Sequence, residues 1–206
     1  MLSLFTEDIN EYLKCDAIID FDNTAVSELA DQLYSESESE TDFVRRAYEY
    51  VRDLISHSAD ISADFVTCSA SEVLKAGHGI CFAKSHLLAA ILRSKSVPAG
   101  FCYQKLILDD ETAPVLIFHG LNGVYLKEHG KWIRLDARGN KPGVNAQFSI
   151  DSECLAFPIR PQKGEVDITV IYADPDIEVV KTLQTYDLRS KLWDNLPMQL
   201  GYEIEG

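Results

Sequence analysis

The residues of this chain best suited to chemistry lie in the stretch Gly77-His78-Gly79-Ile80-Cys81-Phe82-Ala83-Lys84. Two glycines bracket a histidine, and a cysteine follows. From there apolar side chains recur at helical spacing, at Ile80, Ala83, Leu87, Leu88, Ile91 and Leu92. Glycine lets the chain turn sharply just before such a helix, which puts Cys81 in its first turn. Free backbone N–H groups and the positive end of the helix dipole lie at that end. Both favour a thiolate over a thiol, and the thiolate is the nucleophilic form. The same position also suits an inert cysteine that packs as a small apolar side chain.

A cysteine nucleophile needs a base, and the base needs an orienting partner. Five histidines compete for the role. His129 lies in a turn and reads as solvated. His57 follows the end of a helix. His78 and His86 are near Cys81 in sequence, but the helix carries His86 away from it. His119 lies in a strand, Phe118-His119-Gly120-Leu121-Asn122. A four-residue loop over 127–130 would pair Leu126 with Lys131 and set His119 diagonally across from Asp136 on one face. Diagonal neighbours stand roughly 7–8 Å apart, within reach of an imidazole–carboxylate hydrogen bond. A three-residue loop would slip the register by one and put the two on opposite faces. Gly130 fits the last position of either loop.

The elements that must hold these residues can be read in outline. Helical spacing runs over 26–34 and, strongly, over 43–55, where Phe43, Ala47, Tyr50, Val51 and Leu54 share a face. Ser69-Ala70-Ser71-Glu72 is a capping box that opens a short helix ending at Gly77. Strands are predicted over 101–108, 115–126, 132–135 and 166–172, and a C-terminal helix over 176–196. The segment 56–67, with His57 and Asp60, has no clear period, and it is long enough to wall a cleft. Helices come first and most strands later, so the class is α+β with an antiparallel sheet.

Composition narrows the field. The 206 residues suffice for one domain with a real core, and 46% hydrophobic with 25% charged residues is ordinary for a globular protein. The net charge of −14 argues against nucleic acid and against an anionic membrane surface as partners. No apolar run approaches the roughly 18 residues that span a bilayer. The N-terminus lacks the basic and apolar regions of a signal peptide, so a cytoplasmic location is expected. Cys15, Cys68, Cys81, Cys102 and Cys154 are widely spread with no Cys-x-x-Cys pair. Free thiols are expected, with no metal site and no cofactor.

Four blocks in order resemble the bacterial transglutaminase-like family of the papain-like thiol enzymes. They are Ala70-Ser71-Glu72-Val73-Leu74, Gly79-Ile80-Cys81, His119, and Trp132-Ile133-Arg134-Leu135-Asp136. The resemblance runs from about residue 43 to 140 and on to the Phe148 region. It implies a single domain over 1–206 with its core at about 43–148 and helical extensions at both ends. The nucleophile helix would pack on the antiparallel sheet. The family's nucleophile, histidine and acid fall on Cys81, His119 and Asp136. Two departures mark a distinct subgroup. Gly120-Leu121 follow the histidine where relatives carry Ala-Trp, and Ala137 follows Asp136 where many carry Pro.

The chemistry implied is acyl transfer from an amide, in a protein, peptide or small molecule, through a thioester to water or an amine. The Cys81 N–H would donate to the oxyanion, with His57, His78 or Gln104 as candidates for a second donor. Two rival readings stand beside this one. Ala17-Ile18-Ile19-Asp20-Phe21-Asp22-Asn23-Thr24 resembles the first motif of Mg-dependent aspartyl phosphatases, with Asp20 and Asp22 in the active positions. The plain alternative for that stretch is a turn and helix cap. A non-catalytic binding module on the same fold is the other reading.

Overall fold

The computed structural model describes residues 2–202. A short strand β1 (Ser3–Leu4) leads through a 3-10 turn, Ile9–Leu13, to helix α1 (Thr24–Ser35). The side chain of Asn23 caps α1 by accepting from the Ala25 N–H. Helix α2 (Glu40–Leu54) is capped in the same way by Ser39, and buries Phe43, Val44, Ala47, Tyr48 and Val51 along one face. Strand β2 (Ser56–His57) follows directly. The predicted capping box of Ser69 and Glu72 opens helix α3 (Ala70–Ala76), which Gly77 ends at φ 69°.

Strand β3 (His78–Gly79) then pairs in parallel with β2, with His57 opposite Gly79. It feeds helix α4 (Cys81–Ser94). The residues from Phe82 to Arg93 are all buried, so α4 is a central helix rather than the one-faced helix its spacing suggested. Strands β4 (Ala99–Asp109), β5 (Ala113–Leu126), β6 (Lys131–Leu135) and β7 (Val166–Tyr172) complete the sheet. Its order is β1-β7-β4-β5-β6, antiparallel throughout except for the parallel pair β1–β7. The main core joins α1 to α4 to one face of this sheet through Phe101, Tyr103, Phe118, Val124, Ile133 and Leu135. A smaller apolar group, with Tyr12, Cys102, Leu121 and Ile171, forms a separate cluster.

The predicted C-terminal helix is two pieces, α5 (Ile177–Thr185) and α6 (Arg189–Trp193). Backbone pairing breaks it. Val66 N–H donates to Asp187 O at 3.0 Å, and Phe65 forms a bridge with Leu188. Extended pairing there claims the backbone groups that a continuous helix would need. The C-terminal segment is thereby strapped to the loop after β2. No helix among the described residues is long and apolar enough to cross a membrane.

Candidate active site

Cys81 is the first residue of α4, and Ile80 caps the helix without a side-chain hydrogen bond. The early N–H groups of α4 are therefore not claimed by a capping side chain. Gly79 makes the approach possible. A Cβ there would stand 3.1 Å from Thr67 Oγ1 and 3.2 Å from Ala83 Cβ.

The hairpin that decides the partner of His119 has the four-residue connection. Lys127–His129 form a 3-10 turn, Gly130 follows at φ 61°, and Leu126 pairs with Lys131. His119 and Asp136 then share a face, and His119 Nε2 lies 2.8 Å from Asp136 Oδ2. Asp136 is buried, and its carboxylate also accepts from Ala156 N–H at 3.0 Å and Arg138 N–H at 3.1 Å. Burial would push its pKa up. The His119 charge and these N–H groups outweigh that and hold it below the usual carboxylate value.

Burial likewise works against a charged His119. The facing Asp136 carboxylate and the Cys81 thiol overcome it and raise the imidazole to about 10. With Nε2 engaged by Asp136, Nδ1 is left for Cys81. Phe157 stands edge-on to the imidazole, ring centroids 5.2 Å apart.

Gly120 has a steric reason. A Cβ there would lie 2.6 Å from Phe82 Cδ1. Glycine lets β5 close on the helix turn that begins with Cys81.

Cys81 and His119 open into a cleft of about 450 Å³. Leu106, Ile117, Phe157 and Trp193 give it apolar walls, and Arg138 and Lys141 bring charge to it. His57 lines the same cleft, as the irregular segment 56–67 was expected to do. Asp60, from that segment, is paired with both Arg138 and Lys141. It accepts from Arg138 Nη2 at 2.9 Å and from Lys141 Nζ at 2.9 Å, which holds its carboxylate well below the usual range despite burial.

Two other candidates do not line the cleft. His78 Nδ1 is 3.0 Å from Ser58 Oγ, and His78 does not line the cleft, because pairing with β2 points it into that contact. Gln104 opposes His119 in the β4–β5 register, but its amide donates to Asp167 at 3.3 Å and it too is absent from the cleft wall. An acidic neighbour holds it there.

Several residues shape the site through partners distant in sequence. Lys84, fully buried one turn into α4, donates to the carbonyls of Ile55, Arg52 and Arg138. It ties the end of α2 and the turn after Asp136 to α4. Arg134 holds Glu153 and Asp167 together, with contacts of 2.6–2.8 Å. That fastens the strand-less segment that delivers Ala156 and Phe157. Neutral backbone groups and a lone aromatic would be invisible in any motif.

The other cysteines do not line the cleft. Burial pushes the thiols of Cys68 and Cys102 up to about 12. Cys15 is raised too, chiefly by burial of its sulfur. Cys154 Sγ contacts Asn145 O at 3.3 Å.

The stretch that resembled a phosphatase motif is structural. Residues 17–19 are not in a strand. Asp20 Oδ1 accepts from Ser71 N–H at 3.0 Å, the Cys15 thiol contacts Asp22, and Asn23 caps α1. Among the described residues no group of three or more His, Cys, Asp or Glu side chains could hold a metal ion.

Residues 27–137, just over half of the chain, match the model of the transglutaminase-like superfamily. The chain belongs to this superfamily. The match starts earlier than the sequence blocks suggested, in α1, and ends just after Asp136. Among solved structures, the superfamily member is similar to a putative cysteine protease from Cytophaga hutchinsonii. The identity is 22%, with a TM-score of 0.51, covering 65% of this chain and 43% of that one. It is also similar to a putative protease from Parabacteroides distasonis at 16% identity and TM-score 0.43, covering 73% of this chain and 30% of that one. The chain thus spans less than half the length of either. No curated protein matches it.

Proposed function

We propose that the protein is a thiol-dependent acyl-transfer enzyme that cleaves an amide or peptide bond through Cys81, His119 and Asp136. The observation that carries the reading is His119. It lies against the Cys81 thiol, and a buried carboxylate 2.8 Å away favours its charged form. That is the arrangement a thiolate–imidazolium pair needs.

The steps balance as follows. The Cys81 sulfur attacks the carbonyl carbon, the C–S bond forms, and the C=O π pair moves to oxygen. The Cys81 N–H donates to that oxyanion. When the oxyanion collapses the C–N bond breaks, and the leaving amine takes the proton held on His119. Water or an amine then attacks the thioester, giving its proton to His119 and releasing Cys81. Asp136 orients the ring through Nε2 throughout. The apolar walls suit an uncharged acyl side chain. A solved neighbour of the same fold bears the name of a putative cysteine protease, which agrees with hydrolysis as the outcome.

A brief iodoacetamide pulse at neutral pH, read by intact mass and peptide mapping, tests this. Labelling is expected at Cys81 well before Cys68 and Cys102. His119→Ala should slow it at least about tenfold, a barrier change of about 1.4 kcal/mol. Five uniformly slow thiols would instead favour a binding module.

A further inference from the structure

One N–H, that of Cys81, does not make an oxyanion hole, and the cleft is lined by a second histidine in an unusual state. His57 is 8% exposed and lines the cleft with Cys81 and His119. Its backbone is fixed against the entrance to α4. His57 pairs with Gly79, Ser56 N–H donates to Gly77 O at 3.0 Å, and Ser58 N–H donates to Gly79 O at 3.1 Å. The imidazole is therefore held at a set height beside the residue two before the nucleophile.

Its Nδ1 is buried with no hydrogen-bond partner among the described residues. A buried N–H without an acceptor is rarer than a buried lone pair without a donor. The proton of a neutral ring is thus better placed on Nε2, which is not among the buried atoms without a partner. Burial first, and then the Arg138 charge, lower the ring's pKa to about 3, so it is neutral at working pH. Such a ring is too weak a base to take a proton from water or an amine. It remains a good N–H donor, as in enzymes that polarise a carbonyl with a neutral histidine.

We propose that His57 Nε2–H is the second oxyanion donor, acting with the Cys81 N–H. This rests on the acyl-transfer reading above. It gives His57 a role that touches the reacting oxygen, distinct from that of His119.

The test compares two reactions of Cys81. Acylation by p-nitrophenyl acetate passes through an oxyanion, whereas alkylation by iodoacetamide does not. His57→Ala should slow acylation about 100-fold, the usual effect of losing one oxyanion donor, while alkylation stays within about twofold. His57→Gln, which keeps an N–H donor, should recover part of the acylation rate. Equal slowing of both reactions would reduce His57 to a structural residue and overturn the proposal. Unchanged acylation would overturn it as well. If neither reagent selects Cys81 in the unmodified protein, the acyl-transfer reading itself fails, and this inference falls with it.

Discussion

His119 and His86 are nearly the same site built twice. Both rings are buried. Each stands edge-on to a phenylalanine, His119 to Phe157 at 85° and His86 to Phe101 at 81°. Each makes a short hydrogen bond through one nitrogen, 2.8 Å for His119 and 2.7 Å for His86. Yet burial lowers His86 to about 4, while His119 is raised to about 10. The difference is the acceptor. His86 meets the Cys68 carbonyl, a dipole that repays little of the cost of burying a charge. His119 meets a full carboxylate and, beyond it, a thiol that can give up its proton. Packing fixes where an imidazole points, and the partner's charge decides what it can do.

The largest expected effect comes from making the two sites alike. Asp136→Ala leaves His119 a buried cation without its counter-ion, and removing one member of a buried pair costs about 3–5 kcal/mol. The ring can limit that cost by giving up its proton. Urea unfolding should show the loss, and histidine NMR should show His119 titrating below 6.5, on the His86 side of the ordinary value. Asp136→Asn, which keeps an acceptor without the charge, should fall between. A His119 that stays charged in Asp136→Ala would break the comparison.

The pH dependence of stability gives a second, smaller contrast. His119 has its pKa raised on folding. Its contribution is therefore complete below about 6.5 and lost as pH rises through about 10. His86 has its pKa lowered, so the unfolded chain binds its proton more readily, and stability falls as pH drops from about 6.5 towards 4. Unfolding free energies measured from pH 4 to 10 should fall on both sides of neutrality. His119→Gln should flatten the alkaline limb and His86→Leu the acid one. If His119→Gln leaves the alkaline limb as steep as before, the charge of His119 is not what that limb reports.

The smallest effect is on the silent partner. His86→Leu leaves the Cys68 carbonyl without its donor, at a cost of about 1–3 kcal/mol. Iodoacetamide should still find Cys81 at its original rate in this variant. A slower rate would mean that the two histidines communicate through α4.

Local physics explains what could be read from the sequence. The capping box at Ser69 and Glu72, the glycine stop at Gly77 and the strand over 101–108 rest on signals within a few residues, and each lies where expected. The place of Cys81 at the start of its helix followed from the same reasoning. The His119–Asp136 contact hung on one loop residue, because Gly130 satisfies two registers whose difference lies in the fold. Beyond that, pairings at long range decide. Asp60 meets Arg138 across 78 residues, and Ala156 gives Asp136 a backbone N–H that every residue but proline possesses. The break between α5 and α6 has the same origin, since helical spacing in 176–196 cannot reveal that Asp187 and Leu188 will pair with the loop at 65–66.

Trp193, on the far wall of the cleft, has a consequence for the order in which the protein is made. Cys81, His119 and Asp136 leave the ribosome well before Ala156, Phe157 and Trp193. At roughly 5–20 residues per second, the nascent chain spends several seconds with Cys81 made and its cleft only partly walled. During that time Asp136 lacks one of its N–H donors, and the cleft has Leu106 and Ile117 but neither Phe157 nor Trp193. Phe157 and Trp193 arrive after Cys81, so translation itself separates making the thiol from completing the cleft around it.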